Sequence, residues 1–263
     1  MNPATMIYEL YEQTNEERER SQSHYPSGLC AIKKGVFIGK CRRATAYELL
    51  GYEKSDPIDG ISLFKMDIGN VLHKMLNEKI DESLKKFGGG ESVGEEVSVK
   101  WKENGLALPF SGRIDKIIAM VGPEPDDNFI LGSEWKTTYG RGVSDIQKNG
   151  PKEDALLQVI AYLRQKEIKI DQYLLSYLAK DSGYIYSFLF YHEGKDLMML
   201  WLNSGAMSKI DWSWTHIKAA LVPLEEAVAS GKLPDGDYKA PTKSKATWRC
   251  NYCSYAKTCY AEE

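Results

Sequence analysis

Three side chains that could act on a phosphate lie in two segments with the composition of β-strands. Asp115 ends the run Ser111 to Asp115, and Glu134 and Lys136 flank Trp135 in the next such segment. Because side chains alternate along a strand, Glu134 and Lys136 share one face and Trp135 takes the other. If the two strands pair as a hairpin, Asp115 lies on that same face near Glu134. The sequence therefore predicts a cluster of two carboxylates and one ammonium group.

Such a cluster suits hydrolysis of a phosphodiester bond. Two close carboxylates raise each other's pKa, and a hard divalent cation such as Mg²⁺ or Mn²⁺ removes the repulsion by binding between them. A lysine beside the cation can orient a water molecule and offset charge that grows on the phosphate. An isolated Asp or an isolated Glu-X-Lys is more often a solvated strand residue, so the prediction depends on the order and context of the motifs.

Two helical segments could add polar groups to this cluster. His73 lies near the border of the apolar face of one helix; alone it is more often a packed or capping side chain, but as a metal ligand it would favour Mn²⁺. Gln158 and Tyr162 are four residues apart and therefore project from one face of a second helix. They form either a polar strip on an exposed face or a polar cleft that could hold a phosphate or a base.

Three of the five cysteines crowd into the sequence Cys250-X2-Cys253-X5-Cys259. This spacing suits tetrahedral zinc or an iron-sulfur cluster, and the spacing does not choose between them. A fourth thiolate must come from Cys30 or Cys41. Since a chain of 263 residues can bury a large core without crosslinks, metal or cluster ligation is a better explanation than disulfides.

Basic residues precede and follow these cysteines in the sequence. No acidic residue occurs from Tyr238 to Lys257, so a locally positive surface that follows a phosphate backbone is predicted. The basic residues are Lys33, Lys34, Lys40, Arg42, Arg43, Lys239, Lys243, Lys245, Arg249 and Lys257. Four nearby aromatic residues either stack on unpaired bases or pack around the metal centre: Tyr47, Trp248, Tyr252 and Tyr255.

Helices and strands alternate in a way that positions these groups on a mixed sheet. Apolar spacing predicts helices over about 68–84, 152–166 and 212–230. Strands are predicted over 95–101, 106–121, 128–137, 172–179 and 184–191, with turn residues between neighbours. This order is typical of an α/β core in which helices pack against a mixed sheet.

The overall composition is that of an ordinary globular protein. The chain has 34 Lys and Arg against 37 Asp and Glu, giving a formal net charge of −3, with 43% hydrophobic residues. This slightly negative balance excludes a protein that coats nucleic acid through a large overall positive charge. Apolar runs are too short to cross a bilayer, and the first twenty residues lack the pattern of a secretory signal. We expect a single-domain cytoplasmic protein that does not bind membranes.

Taken in order, these motifs resemble those of the PD-(D/E)XK nuclease superfamily, in its RecB-like branch. The matching segments are Gly69 to His73, Gly112 to Asp115, Glu134 to Thr137 and Gln158 to Tyr162. The resemblance implies a restriction-endonuclease-like α/β core. It also implies that a metal ion is bound by His73, Asp115, Glu134 and the backbone carbonyl of Trp135. By the same resemblance, Lys136 would act on the attacking water, and Gln158 and Tyr162 would support the motif and the DNA strand.

The cysteine pattern is similar to that of the CRISPR-associated RecB-type exonucleases. In that subset one early cysteine and three near the C-terminus bind a 4Fe-4S cluster, and the early cysteine precedes Pro-Arg and an aromatic-bearing helix. Cys41, followed by Arg42 and Arg43, fits better than Cys30, although the proline is missing here. The resemblance thus implies Cys41, Cys250, Cys253 and Cys259 as cluster ligands and leaves Cys30 as a free thiol.

From these comparisons of motifs we expect a metal-dependent DNA exonuclease that acts on single-stranded ends and carries a structural 4Fe-4S cluster. It would comprise an N-terminal region, 1–66, a nuclease core, 67–230, and a cysteine region, 231–263, in one continuous unit. Its partners would be DNA and recombination or CRISPR-adaptation proteins. The alternatives are a non-catalytic DNA-binding or recombination accessory protein with the same fold, and a zinc-binding module fused to an unrelated α/β domain. Cleavage polarity, DNA or RNA preference and oligomeric state stay open.

Overall fold

The protein is described by a computed structural model that covers residues 2–14, 22–238 and 247–261. Within these residues a seven-stranded sheet and a separate two-stranded hairpin are packed with eight α-helices. The strands are β1 Cys30–Lys33, β2 Val36–Gly39, β3 Gly90–Trp101, β4 Phe110–Met120, β5 Phe129–Thr138, β6 Gln172–Ala179, β7 Ile185–Glu193, β8 Asp196–Trp201 and β9 Ala206–Lys209. The helices are α1 Pro3–Thr14, α2 Arg42–Leu49, α3 Gly60–Phe87, α4 Arg141–Asn149, α5 Glu153–Arg164, α6 Trp214–Ala229, α7 Trp248–Asn251 and α8 Ala256–Ala261.

The large sheet follows chain order from β3 to β9 and contains one parallel pair. Strand β5 runs parallel to β6, and the other neighbouring strands are antiparallel. A parallel pair needs a long crossover, which α4 and α5 provide here. The mixed α/β architecture expected from the sequence is therefore confirmed.

Helices cover both faces of the sheet around β5. The Trp135 indole donates a hydrogen bond to Asn77 of α3, while the adjacent Glu134 interacts with Gln158 of α5. Because neighbouring side chains on a strand point in opposite directions, α3 and α5 lie on opposite faces. Helix α5 is buried over most of its length and also contacts the β1–β2 hairpin, whereas α6 packs against β1. The catalytic candidates thus lie between two packed helical layers.

Helix α3 begins at Gly60, ahead of position 67 where we expected the nuclease core to start. The Asp59 side chain accepts a hydrogen bond from the Ser62 N–H at 2.6 Å, which satisfies one of the free donors of the first turn. Gly60 lies against α1, and a Cβ at this position would be 2.1 Å from the Tyr8 carbonyl oxygen. Only glycine permits this close approach of the two helices.

The apolar face of α3 predicted from the sequence is only partly covered by the sheet. Among the predicted face, Ile68, Val71 and Met75 are exposed, and Val71 has 63% of its surface accessible. Leu72 and Leu76, one turn apart, are half-buried beside the buried Asn77. The spacing correctly predicted a helix but not its orientation, because a polar side chain occupies the centre of the contact with the sheet.

Residues from both ends of the described chain pack together. The Arg42 guanidinium contacts the Asp237 carboxylate at 2.6 Å, and the Lys257 N–H donates to the Asp56 carboxylate at 2.8 Å. The Arg249 side chain donates to the carbonyl of Gly39 at 3.1 Å. In the described part of the chain, no helix is both long and apolar enough to cross a membrane.

Candidate functional site

The two strands that carry the predicted carboxylates diverge at the candidate site. Backbone pairing between β4 and β5 extends as far as Lys116 opposite Ser133 and stops there. Beyond that point the Trp135 N–H donates instead to the Asp115 side chain, with an N···Oδ2 distance of 2.8 Å. The hairpin predicted from the sequence is confirmed, and the Asp115 carboxylate fills the gap between the separating strands.

Glu134 is the most deeply buried acid of the site, with 5% of its surface exposed. Its Oε1 accepts a 2.6 Å hydrogen bond from the Lys136 ammonium, as expected for side chains that share one strand face. Its Oε2 is also buried and has no hydrogen-bond partner among the described residues. A buried carboxylate oxygen without a hydrogen-bond partner is costly, and a bound cation would satisfy it.

Burial perturbs both carboxyl groups in the same direction, towards a higher pKa. It raises the pKa of Glu134, while the Lys136 ammonium opposes the rise and the nearby Asp115 carboxylate adds to it. Burial also raises the pKa of Asp115, against the lowering effects of the Trp135 N–H and the Lys136 charge. Strongly perturbed acids in one place are typical of functional sites.

His73 approaches the same site from α3. Its Nδ1 atom is 3.8 Å from the Asp115 Oδ2 atom. Burial lowers the pKa of the imidazole, and the Glu134 carboxylate partly offsets the effect. A lowered pKa favours the neutral imidazole, which is the form that ligates metals. The structure therefore brings His73, Asp115, Glu134 and Lys136 together, as the sequence predicted.

Gln158 and Tyr162 lie on the buried side of α5, so the interpretation as an exposed polar strip is wrong. The Gln158 side chain interacts with the Glu134 carboxylate and lowers its pKa. The Tyr162 hydroxyl donates to the Arg113 carbonyl at 2.8 Å and accepts from the Arg113 N–H at 3.0 Å. Because both hydrogen bonds are made to the backbone of β4, this hydroxyl positions the strand rather than holding a phosphate or a base.

Glycine at position 112 makes this contact possible. A Cβ on Gly112 would lie 2.9 Å from both the hydroxyl oxygen and a ring carbon of Tyr162. Tyr162 also stacks on Tyr173, with ring centroids 5.6 Å apart. Tyr173 is fully buried, and the pKa of its hydroxyl is raised well above the usual range by burial and by the Glu134 charge. Tyr173 was not predicted as a site residue, because it is one of several apolar residues of β6 and shows no separate signal in the sequence.

Asn77 is a second buried residue whose role was overlooked. Its Oδ1 accepts the indole hydrogen bond of Trp135 at 3.1 Å, and its Nδ2 lies 3.4 Å from the Asp115 carbonyl oxygen. It therefore connects α3 to β5 and β4, the strands that carry the two carboxylates. Its backbone carbonyl accepts from the fully buried Lys116, whose ammonium also pairs with Asp81 at 2.7 Å. The sequence does contain a signal for this role, namely a polar residue one turn after His73 within an apolar stripe.

Four cysteines line one cavity where the two ends of the described chain meet. The cavity has a volume of about 400 Å³ and is bordered by Cys41, Cys250, Cys253 and Cys259, together with residues of α2, α7 and α8. Burial raises the pKa of the Cys253 thiol, and the other three thiols raise it further. None of the five cysteines, all of which lie in the described ranges, is joined in a disulfide. The other three residues implied by the resemblance thus lie close enough to Cys253 to perturb its thiol electrostatically.

Cys30 occupies a different environment. It is 1% exposed in the main apolar core and does not border the cavity. Burial raises the pKa of its thiol to about 12, so it is protonated at neutral pH. A protonated core thiol is a poor metal ligand, because metals bind the thiolate.

Neither site is arranged as a complete ligand set. Across residues 2–14, 22–238 and 247–261, no three His, Cys, Asp or Glu side chains form a group that could hold a metal ion. The metal and cluster assignments therefore stay predictions, based on the shared cavity and on the buried carboxylates.

The basic and aromatic residues near the cysteines separate into distinct groups. Tyr47 and Tyr255 are buried and stack on each other, with centroids 5.2 Å apart. Trp248 and Tyr252 are exposed by 65% and 82%. The predicted positive surface is only partly described, because Lys239, Lys243 and Lys245 lie outside the described residues. Several described basic side chains pair with carboxylates, namely Lys33, Lys40, Arg42, Arg249 and Lys257.

Comparison with known proteins gives no identification. No protein-family model and no curated protein matches the chain. One solved structure, described as "Crystal structure of SSO0001", has 17% sequence identity and a TM-score of 0.47. The alignment covers 98% of this chain and 94% of that one. At this TM-score the likeness carries no argument about the site.

Proposed function

We propose that the protein is a divalent-metal-dependent DNA exonuclease that acts on single-stranded ends and carries a structural 4Fe-4S cluster. The observation that carries the proposal is the meeting of Asp115, Glu134 and Lys136 where β4 and β5 diverge. Their pKa shifts and the unpartnered Glu134 oxygen support it. The runner-up is an accessory protein that binds DNA without cleaving it.

The side chains that meet here carry the types of donor atom that a hard divalent cation such as Mg²⁺ or Mn²⁺ prefers. Asp115 and Glu134 supply carboxylate oxygens, and His73 supplies a nitrogen that favours Mn²⁺. In a strand, the N–H and C=O of one residue point to the same side. Since the Trp135 N–H bonds to Asp115, the Trp135 carbonyl faces the same gap. A bound divalent cation supplies Lewis-acid polarisation of the phosphate and acidification of a water molecule.

The protein side chains have separable roles in this proposal. The Lys136 side chain is 31% exposed, and its ammonium can orient the attacking water and offset charge on the phosphate. Tyr162 fixes the backbone of β4 two residues before Asp115, and Gln158 restrains the Glu134 carboxylate. These positioning contacts restrain the two carboxylates on their separate strands.

The cysteine cavity fits a larger inorganic group than one ion. Its volume of about 400 Å³ is more than ten times the roughly 30 Å³ share of one water molecule. A four-thiolate site of this kind suits a 4Fe-4S cluster, which would connect α2 to the α7–α8 segment. The proposed role of the cluster is structural, because no residue of β4 or β5, the strands that carry the two carboxylates, borders the cavity.

The experiment that tests the function compares cleavage with binding. Asp115→Ala and Glu134→Ala should abolish Mg²⁺- or Mn²⁺-dependent degradation of end-labelled single-stranded DNA while leaving DNA binding in EDTA largely intact. Lys136→Ala should behave in the same way. Asp126→Ala, an exposed turn residue, is the matched control. Cleavage by Asp115→Ala at the wild-type rate would refute the assignment. Binding without any wild-type cleavage would favour the accessory-protein alternative.

A further inference from the structure

The exposed aromatic pair at α7 differs from the other aromatics beside the cysteine cavity. Trp248 and Tyr252 are four residues apart, and the Tyr252 N–H donates to the Trp248 carbonyl at 3.2 Å, so the two side chains follow one turn of helix. They are exposed by 65% and 82%, whereas Tyr47 and Tyr255 are buried. All four rings border the cavity, but Tyr47 and Tyr255 stack on each other in its wall, whereas Trp248 and Tyr252 keep most of their surface open to solvent.

The guanidinium of Arg249 lies between two aromatic rings, one of them that of Trp248. The Arg249 guanidinium lies 4.8 Å from the ring centroid of Trp248 and 4.8 Å from that of Tyr238. It also donates to the Gly39 carbonyl and pairs with Glu153 at 3.5 Å. Such contacts hold a guanidinium in one orientation next to an exposed indole face, which is a favourable arrangement for a phosphate beside a stacked base.

The charge of the surrounding sequence suits a polyanion. From Tyr238 to Lys257 the chain contains five basic residues and no acidic one. Arg249 and Lys257, the basic residues of this segment that the structure describes, pair with Glu153 and Asp56, which belong to other parts of the chain. Exposed aromatic faces combined with positive charge are the features that grip unpaired nucleotides without sequence preference.

The aromatic pair is also connected to the candidate active site. Glu153, the partner of Arg249, is the first residue of α5, and Gln158 lies five residues further along the same helix. At 1.5 Å per residue, the two positions are about 8 Å apart along the helix axis. Gln158 in turn interacts with Glu134. A strand held at α7 therefore lies at one end of the helix that borders the carboxylates.

We infer that Trp248 and Tyr252 form a stacking site for unpaired bases of single-stranded DNA, with Arg249 next to the DNA backbone. The inference rests on the proposed function and adds a binding site outside the metal centre. Duplex DNA, whose bases are already stacked on each other, offers no free face to these rings. The site therefore selects single strands.

The test measures binding and cleavage separately on the full chain. A labelled oligothymidylate is titrated in EDTA, with a duplex of the same length as a second probe. The Trp248→Ala and Tyr252→Ala variants should each weaken single-strand binding by about 5- to 150-fold, the range for loss of one base–aromatic stack. Trp248→Phe and Tyr252→Phe, which keep an aromatic face, should bind nearly as well as wild type. Duplex binding should change little in all four.

Two controls keep the result interpretable. Phe87→Ala removes an equally exposed aromatic at the end of α3, fourteen residues from His73 and so about 21 Å away along the helix; it should not alter binding. Hydrolysis of a short dinucleotide in Mn²⁺ should be unchanged in the alanine variants, since the metal-site residues are untouched.

The outcomes separate this inference from the proposed function. Unchanged single-strand affinity in both alanine variants would overturn the stacking site while leaving the nuclease proposal intact. Equal losses in the alanine and phenylalanine variants would also overturn it, because stacking would not be the cause. A wild-type chain that binds no single-stranded DNA would overturn both.

Discussion

The Asp115→Asn substitution is expected to stabilise the metal-free protein at neutral pH, although it removes a proposed catalytic group. Asp115 is 8% exposed, and burial raises the pKa of its carboxyl from 3.8 to about 6. Asparagine has nearly the same shape, and its amide oxygen can still accept the hydrogen bond from the Trp135 N–H. The substitution therefore removes the buried charge and keeps the contact.

The magnitude follows from the difference between the folded and unfolded pKa values. Below about pH 4 the carboxyl is protonated in both states, and its titration does not affect stability. As the pH rises, the unfolded chain ionises first, and the folded state loses about 1.4 kcal/mol for each pH unit until its own pKa is reached. The wild-type protein therefore loses about 3 kcal/mol between about pH 4 and 6, and Asp115→Asn avoids this loss.

Urea unfolding in EDTA measures the effect. The stability difference between Asp115→Asn and wild type should grow from near zero at about pH 4 to about 3 kcal/mol in favour of the variant at about pH 8. Added Mn²⁺ should stabilise the wild-type protein and have little effect on the variant. Asp126→Asn, in an exposed turn, should show neither behaviour. The same stability difference at both pH values would refute the assignment of a buried, destabilising charge to Asp115.

The remaining predictions concern the thiols and the buried amide. Anaerobically purified protein should be brown and contain iron and sulfide. A single alanine substitution at Cys41, Cys250, Cys253 or Cys259 should remove both the colour and the solubility of the protein. Cys30→Ala should keep both, and bleaching by Cys30→Ala but not by Cys41→Ala would show that the fourth ligand was misassigned. Asn77→Ala should destabilise the fold by about 1–3 kcal/mol, because it leaves the Trp135 indole donor buried without a partner. Asn70→Ala, exposed on the same helix, is its control, and equal unfolding midpoints for the two variants would contradict the role given to Asn77.

Helices and strands with strong local patterns were predictable from the sequence. Strand β6 has the predicted bounds of 172–179, and α5 begins and ends within two residues of the prediction. Strand β8, Asp196–Trp201, was overlooked, since its apolar run does not alternate. The four-residue strands β1 and β2 are too short to give a periodic signal. The parallel pairing of β5 with β6 depends on tertiary packing, which no local pattern encodes.

The composition of the candidate site was more predictable than its supporting contacts. The two-residue period of a strand was enough to place Glu134 and Lys136 on one face, and hairpin pairing brought Asp115 to them. The bonds of Tyr162 to the backbone of β4 could not be predicted, because they depend on how closely α5 approaches the sheet. The same is true of Asn77, whose partners lie far away in the sequence.

The cavity between α2 and the α7–α8 segment has a consequence for biosynthesis. The residues that border it near Cys41 are synthesised about 200 residues before those near Cys250. At roughly 5–20 residues per second, the ribosome needs about 10–40 s to bridge that interval. During this time the β1–β2 hairpin and α2 are not yet packed against the α7–α8 segment. The nascent chain therefore leaves the early thiol of Cys41 accessible to oxidants until the segment around Cys250 has been synthesised.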